Sequence, residues 1–282
     1  MIDNIILIPV YNDWKSLNKL LIEINDISDE TNLFKVLIIN DSSTQKVDIE
    51  RKKLHKIKQI KILSLKQNLG SQKSICVGLS YLKEQNNNSY ITIMDGDGED
   101  NPVEISKMLT HAKADPEYII TSHRKSRNEN FIIKFSYKIH LIITFFLTWH
   151  WISFGNFSCF HSKNLKKLNL NDAWYAHSAS VLKNCNIKKL YASRQKRYFE
   201  NSKISFLKLI EHSLRITSVF YKKVFFNSLI FLILIWFFPA NISFFFYMVI
   251  IFINLLILFI KLKHYTKISM NFNSFIKAVA EI

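Results

Sequence analysis

The N-terminal part of the chain alternates short, β-branched apolar runs with stretches of helical periodicity. In residues 13–27, for example, apolar side chains recur every three to four positions, as on one face of an amphipathic helix. Because the runs are almost continuously apolar, they predict strands of a mostly parallel sheet that helices cover on both faces. We therefore expect an α/β fold, with strands at 4–10, 34–39, 60–65, 90–94 and 118–121 and a further helix at 71–84.

Polar segments follow these strands. In open α/β sheets, ligands bind at the carboxyl ends of the strands, where the following loops collect. We therefore expect one site to be formed by the loops at residues 11–13, 40–44, 66–70, 95–101 and 122–127.

Two carboxylates one residue apart, Asp95 and Asp97, follow the apolar run 90–94. Mg²⁺ and Mn²⁺ favour oxygen ligands, and Mg²⁺ is often shared between one or two carboxylates and substrate phosphates. An isolated acidic pair is commonly a solvated turn, so this assignment depends on the rest of the chain. At a strand end, the pair predicts a site for Mg²⁺ or Mn²⁺ bridging to a diphosphate.

Residues 224–260 are almost wholly apolar, and Pro239-Ala240-Asn241 divides them into two segments. The second segment, 242–260, has about the ~20 residues needed to cross a bilayer, whereas 224–238 is short for a span. We expect a C-terminal two-helix transmembrane hairpin in a bacterial-type inner membrane. The alternative is a buried hairpin of a soluble protein, which the lack of a polar face disfavours. The positive-inside rule predicts that both flanks, and so both termini, are cytoplasmic, given Lys222, Lys223, Lys261, Lys263, His264 and Lys267.

Two more segments combine apolar and basic residues. Residues 131–152 carry several Lys and His among large apolar side chains, and residues 202–221 lead directly into the first apolar segment. We interpret both as interfacial amphipathic helices; for 131–152, a helix buried under the sheet is the alternative. The expected domains are a core at 1–130, a segment with the interfacial helices at 131–220, the hairpin at 221–263 and a cytoplasmic tail at 264–282.

The formal net charge of +16 favours an anionic partner. Lysines beside a membrane segment suit anionic headgroups, and phosphorylated substrates also need cations. Nucleic acid is not expected as a partner, because the chain has no zinc-finger, RNP or helix-turn-helix signature. The three cysteines form no C-x-x-C pair, so we expect reduced cytosolic thiols rather than a disulfide or a zinc site.

Four segments at successive strand ends carry a family resemblance. They are IPVYND at 8–13, INDSST at 39–44, NLG at 68–70 with Gly78 further on, and DGDGEDNP at 95–102. In this order and spacing they resemble the PVYNE, VDDGS, NxGxxxAxxxGL and DxDxQDPPE segments of the inverting family-2 glycosyltransferases. That resemblance implies a Rossmann-like GT-A fold and a nucleotide diphosphate sugar as donor.

Three later segments narrow the resemblance. RKSR at 124–127, GNFSCF at 155–160 and RYFENSK at 197–203 are similar to the GSRxxR, GDFRLM and RxxGESKY segments of the polyprenyl-phosphate glycosyltransferases, the dolichyl-phosphate-mannose-synthase-like branch. With the apolar hairpin, the resemblance covers nearly the whole chain. The chain departs from the family pattern at Asn40, Ser42, Asn156, Glu200 and Ile204.

The resemblance also implies roles on the donor side. Asp13 and Asp41 would accept hydrogen bonds from the nucleobase and the ribose, and Pro9 and Tyr11 would wall the base. Asp95 and Asp97 would hold the metal on the diphosphate.

On the acceptor side, the candidates are mostly cationic. A lipid phosphate is already an anionic nucleophile at neutral pH, so it needs cations rather than a strong base. Arg124, Arg127, Arg197 and Lys203 are the candidates for this role. Asp100 is a base, an orienting group or an N-cap for the helix after Pro102.

The predicted reaction is transfer of a sugar from a UDP- or GDP-linked donor to a polyprenyl (undecaprenyl-type) phosphate at the cytoplasmic membrane face, with inversion. Two alternatives stay open: transfer to a sugar hydroxyl of a lipid-linked glycan, and a catalytically inactive membrane scaffold. The sequence leaves open the sugar, the base and whether the chain forms a homo-oligomer.

Overall fold

The computed structural model describes residues 2–29, 32–124, 131–199, 206–265 and 271–282. The chain divides into two compact units. One, the sheet unit, comprises residues 1–126, 154–202 and 269–282; the other, the helical unit, comprises residues 127–153 and 203–268.

The sheet unit contains one eight-stranded sheet, in the order β7-β5-β6-β4-β1-β2-β3-β8. The central strands β1, β2, β3 and β4 are mutually parallel, while β6 and β8 run antiparallel to their neighbours. The strands are β1 (Asp3–Val10), β2 (Phe34–Asn40), β3 (Gln59–Leu65), β4 (Ser89–Ile93), β5 (Tyr118–Arg124), β6 (Phe154–His161), β7 (Asn186–Ala192) and β8 (Ile276–Glu281).

Helices cover both faces of this sheet. They are α1 (Trp14–Ile27), α2 (Ser71–Gln85), α3 (Glu104–Ala114), α5 (Leu170–Ala173) and α6 (His177–Asn184). Successive side chains of a strand point to opposite faces, and accordingly Ile6 and Ile8 of β1 pack in the core beside α1 and α3. Ile5 and Leu7 pack in a second core beside α2. The expected mostly parallel α/β sheet, buried on both faces, is confirmed.

The domain limits expected from the sequence differ from the observed units. Residues 154–202 supply strands β6 and β7 to the sheet, whereas we expected 131–220 to form a separate segment. Residues 276–281 of the expected tail form β8, which pairs antiparallel with β3. Phe272 is buried just before β8, with its ring centroid 5.3 Å from that of Trp174. The end of the described chain is therefore part of the sheet.

The helical unit consists of α4 (Phe131–Thr148), α7 (Phe206–Val219), α8 (Tyr221–Ile235) and α9 (Ala240–Lys263). Among the described residues, α9 is the one helix that is long and apolar enough by itself to cross a membrane. The 15-residue α8 reaches the required length only together with α7, from which it is bent by 89°. The expected helix pair is therefore present, but its two helices differ in length, with 15 residues in α8 and 24 in α9.

Two amide side chains of the helical unit bond between helices, and many large apolar side chains are exposed. Asn254 of α9 donates to the hydroxyl of Ser228 of α8 at 2.8 Å. Asn227 of α8 donates to the carbonyl oxygen of Leu147 in α4 at 2.9 Å. Exposed side chains include Phe226, Leu229, Ile233, Phe244, Phe245, Phe252, Leu255 and Phe259.

Candidate active site

The acidic loop, defined here as residues 95–100, connects the end of β4 to the segment before α3. Asp97 accepts hydrogen bonds from the backbone N–H of Glu99 at 3.0 Å and from the guanidinium of Arg197 at 2.7 Å. Burial raises the pKa of Asp97, although its ion pair with Arg197 acts in the opposite direction. The loop thus places a partly buried carboxylate against a cation.

A second segment, the strap (residues 193–199), lies along the acidic loop. The backbone N–H groups of Gln195 and Tyr198 donate to the carbonyl oxygens of Glu99 and Asp97, at 3.0 and 3.1 Å. Arg194 forms an ion pair with Glu99. These contacts bring Arg197, about a hundred residues further along the chain, to the carboxylate that the sequence singled out.

Gly98 allows the strap to approach this closely. Its φ of +85° lies in the left-handed region, where a side chain is strained. A Cβ at this position would also lie 2.2 to 2.5 Å from three ring carbons of Tyr198. Glycine is therefore required here both by the backbone and by the packed ring.

Asp100 orients the acidic loop. Its carboxylate accepts a hydrogen bond from the backbone N–H of Asp95 at 3.0 Å. At the start of α3 it is Asn101 that accepts from the N–H of Val103, at 3.1 Å. Of the three roles expected for Asp100, the geometry favours the orienting group over the N-cap.

Asp41 joins the end of β2 to the start of α2. Its two carboxylate oxygens accept the backbone N–H groups of Leu69 and Gly70, at 2.7 and 2.8 Å. Burial raises the pKa of Asp41, while the two N–H donors lower it. In this structure the carboxylate therefore fixes the loop, and nucleotide binding through its remaining lone pairs stays a prediction.

The first two loops of the site are also tied to each other. Asp13 caps α1, accepting from the N–H of Ser16 at 3.3 Å, and its contact with a nucleobase stays a prediction. The side-chain oxygen of Asn12 accepts the N–H of Thr44 at 2.9 Å. Ser42, which stands at a family glycine position, has a left-handed backbone with φ +58°. A serine in this conformation costs about 1 kcal/mol relative to glycine.

Pro9 and Tyr11 lie where β1 ends. Pro9 is buried, and a Cβ on Gly96 would lie 3.4 Å from its carbonyl oxygen, so the ends of β1 and β4 are adjacent. Tyr11 has 48% of its surface exposed, which leaves its ring accessible at this edge. The predicted convergence of the loops after β1, β2, β3 and β4 is thus observed.

The expected cationic residues differ in how far the structure describes them. Arg197 lies in the site, on Asp97. Arg124 is the last residue of β5, at the same edge as the other strand ends. Arg127 and Lys203 lie outside the described residues, so their roles stay predictions.

The donor set fits a divalent cation shared with a substrate. Asp95 and Asp97 supply carboxylate oxygens, and the guanidinium on Asp97 shows that positive charge is stabilised there. In the described ranges no group of three or more His, Cys, Asp or Glu side chains is arranged around a metal position. An ion at this loop would therefore complete its coordination with phosphate oxygens and water, as Mg²⁺ commonly does.

Gln72 and Asn156 lie at the site but are not among the residues that the sequence predicts to be functional. Asn156 of β6 donates to the Asp95 carboxylate at 3.2 Å, and Gln72 of α2 donates to Asn156 at 2.8 Å. The departure of Asn156 from the GDF pattern was the one sequence signal that pointed to this residue. Nothing in the sequence connected Gln72 to the site.

Residues 5–180, more than half of the chain, match the model of Glycosyl transferase family 2. The chain belongs to that family. No curated protein matches this glycosyltransferase by sequence.

Solved structures confirm the GT-A fold of this family-2 glycosyltransferase. It resembles S. aureus TarS (residues 1–349) with a TM-score of 0.52 and 14% identity, over 80% of this chain and 68% of TarS. It also resembles glucosyl-3-phosphoglycerate synthase from Mycobacterium tuberculosis, in complex with Mn²⁺, UDP-glucose and phosphoglyceric acid, with a TM-score of 0.55 and 10% identity, over 79% of each chain. At such identities the likeness establishes the fold.

Proposed function

We propose that this glycosyltransferase transfers a sugar from a nucleoside diphosphate sugar to a polyprenyl phosphate at the cytoplasmic face of a membrane, with inversion at the anomeric carbon. The observation that carries the proposal is the contact of Arg197 with Asp97. It brings a phosphate-binding type of side chain to the carboxylate pair that suits a metal-bound diphosphate.

The helical unit supports a membrane location. Monomeric soluble proteins rarely expose large contiguous apolar surfaces, yet α8 and α9 expose Phe, Leu and Ile along their length. Their amide and hydroxyl groups, such as those of Asn254 and Ser228, instead bond between helices. In hydrocarbon, polar groups have to be satisfied internally, so this arrangement fits a bilayer better than water.

Strand β8 supports the expected topology. Because β8 belongs to the same sheet as β1, the chain leaves the sheet unit before residue 203 and returns to it after residue 268. A segment that starts and ends on one side of a membrane crosses it an even number of times. If α9 is one crossing, α8 supplies the other, alone or with α7. Both flanks of the helix pair then share the side of the catalytic site, which the lysine distribution predicts to be cytoplasmic.

The reaction needs little proton chemistry from the chain. A phosphate oxygen of the acceptor attacks the anomeric carbon, and the bond from that carbon to the diphosphate oxygen breaks, releasing the nucleoside diphosphate. Mg²⁺ or Mn²⁺, when bound, offsets the charge of the departing diphosphate. Asp95 and Asp97 hold positive charge beside the diphosphate, Asp100 fixes the Asp95 backbone, and Arg197 attracts the acceptor phosphate.

The test uses the full chain purified in detergent, with Mn²⁺ or Mg²⁺, undecaprenyl phosphate and a panel of UDP- and GDP-sugars. We expect mass spectrometry to show a monoglycosylated lipid phosphate with one donor, and no product with the Asp97→Ala variant. Extension of a lipid-linked glycan instead would support a hydroxyl acceptor. No transfer and no donor hydrolysis with any donor would support a scaffold.

The loss in Asp97→Ala is expected to be large because the carboxylate is partly buried beside the reacting diphosphate. Removing several kcal/mol of charge stabilisation corresponds to roughly a 1,000-fold drop in rate. Near-normal turnover would contradict the metal assignment, provided that the variant is extracted from membranes as efficiently as the wild-type chain.

A further inference from the structure

We propose that Gln72 and Asn156 are positioning residues that set the orientation of the Asp95 carboxylate, and through it the divalent-cation site. This inference rests on the proposed function, because it concerns how that site is held. Three hydrogen bonds carry it, and together they form what we call the amide relay: His177 N–H to Gln72, Gln72 to Asn156, and Asn156 to Asp95.

The relay begins at a donor that cannot be reversed. His177 is the first residue of α6, where backbone N–H groups have no partner within the helix. Its N–H donates to the side-chain oxygen of Gln72 at 2.8 Å. Because a backbone N–H can only donate, this bond determines which end of the Gln72 amide faces it.

The orientation of the Gln72 amide then determines the orientation of the Asn156 amide. With its oxygen on His177, Gln72 presents its NH₂ group, which donates to Oδ1 of Asn156 at 2.8 Å. Asn156 must consequently turn its own NH₂ group the other way, toward Oδ1 of Asp95, at 3.2 Å. The N–H of His177 in α6 therefore fixes the orientation of the Gln72 amide. That amide in turn makes Asn156 present a donor to the Asp95 carboxylate.

Asn156 is suited to this place in a way that aspartate is not. An amide can accept from Gln72 and donate to Asp95, whereas a carboxylate accepts only. An aspartate would place a second negative charge against Asp95. The departure from the GDF pattern therefore has a structural reason in this chain.

The main chain under Asn156 is held as well. The hydroxyl of Ser158 donates to the carbonyl oxygen of Asn156 at 2.9 Å and lies 3.2 Å from Nε2 of His177. Since the single hydroxyl proton is used on the carbonyl, Nε2 of His177 donates to Ser158. Asn156 is thus fixed at both its backbone and its side chain by residues of α2, β6 and α6.

The test is a double-mutant cycle on Gln72→Met and Asn156→Ala in the full chain in detergent. Electron paramagnetic resonance follows the binding of Mn²⁺ in the presence of a nucleotide. The nucleotide is UDP or GDP, whichever of the two the wild-type chain binds. We expect each single variant to bind Mn²⁺ about 10-fold more weakly, as for other groups that orient a metal ligand. The double variant should be no weaker than Asn156→Ala alone, because Gln72 acts through Asn156.

Thermal unfolding separates positioning from general stability. Gln72→Met also removes the partner of the His177 N–H, so it should lower the Tm in both backgrounds, whether or not Asn156 is present. Gln85→Met is the matched control at the exposed end of the same helix and should leave Mn²⁺ binding unchanged.

Three outcomes would overturn the inference. Multiplicative losses of Mn²⁺ affinity in the double variant would show that Gln72 acts independently of Asn156. A lowered Tm with unchanged Mn²⁺ affinity in Gln72→Met would show a purely structural role. Failure of the wild-type chain to bind Mn²⁺ with either nucleotide would remove the metal site itself, and the proposed function would fail together with the relay.

Discussion

The Arg197 side chain connects the two halves of the proposed reaction. In the structure its guanidinium pairs with Asp97 at 2.7 Å, and in the proposal it also attracts the acceptor phosphate. Charge-assisted hydrogen bonds contribute about 1.5–3 kcal/mol, so Arg197→Ala should lower kcat/KM for the lipid phosphate roughly 10- to 100-fold. Steady-state kinetics at saturating donor, with the acceptor varied, measure this.

Arg197→Lys is the control for charge alone. Lysine keeps the positive charge but loses the planar pair of donors, so it should recover part of the lost activity. Unchanged kcat and acceptor KM in Arg197→Ala would remove this residue from the acceptor site.

His177 gives a prediction for pH. It is fully buried, and burial lowers its pKa from the usual 6.5 to about 4. Between these values the unfolded chain binds the proton and the folded chain does not, so folding stability is lost as the pH falls from about 6.5 toward 4. The lost stabilisation is roughly 3 kcal/mol.

Unfolding free energies measured between pH 4.5 and 7 check this, with His177→Gln as the variant that does not titrate. The wild-type chain should lose more stability on acidification than the variant. Part of the slope will remain, because burial also lowers the pKa of His123 to about 4. Parallel pH profiles would contradict the assignment.

At the scale of elements, the strap depends on Gly98. Gly98→Ala would place a Cβ within 2.5 Å of the Tyr198 ring, so we expect the strap to be displaced from the acidic loop. Activity and Tm should both fall, and limited proteolysis should cut within residues 193–199 faster than in the wild-type chain.

The Tyr198→Ala variant tests whether contact with the Tyr198 ring causes the effect of Gly98→Ala. In that background the ring is gone, and Gly98→Ala should cost only the backbone strain, about 1–2 kcal/mol. Equal losses of Tm from Gly98→Ala in both backgrounds would show that contact with the ring is irrelevant.

The elements also show what the sequence could predict. Strands β1 to β5 were predicted to within a few residues, because each contains a buried apolar run. Strand β6 was not predicted, although it lies inside the sheet, because Gly155, Asn156 and Ser158 interrupt its apolar residues. Strands β7 and β8 were not predicted either. They lie at the two edges of the sheet, so their residues are largely exposed and no continuous apolar run marks them.

The site likewise has residues that the sequence predicted and contacts that it did not. Asp95, Asp97 and Arg197 were predicted from residue types and order, and the last two are found in contact. The observed partners of Asp13 and Asp41 are backbone N–H groups, which any residue supplies and no sequence pattern records. The contact of Gln72 with Asn156 joins residues 84 positions apart, so only the folded chain reveals it.

At the scale of the whole molecule, the return of the chain to the sheet predicts a topology that can be measured. In inverted membrane vesicles, a membrane-impermeant thiol reagent should label Lys277→Cys, in β8. It should not label Ala240→Cys, at the start of α9, unless the vesicles are opened. The native cysteines are buried or partly buried, and the unsubstituted chain measures their background.

In right-side-out vesicles the pattern should be reversed. Labelling of both positions from the same side would mean that the helix pair does not cross the membrane, and the helical unit would then lie along its surface.

The pairing of β8 with β3 also constrains the order of events during synthesis. Gln59 and Glu281, which join the two strands by a side-chain hydrogen bond, are 222 residues apart. On the ribosome, β3 emerges long before β8, and all of α7, α8 and α9 is translated between them. Until then β3 is an unprotected sheet edge, the kind of edge that pairs with other chains. Closure of the sheet therefore has to wait until the apolar helices have been synthesised, and a delay at that stage prolongs the period in which the nascent enzyme can aggregate.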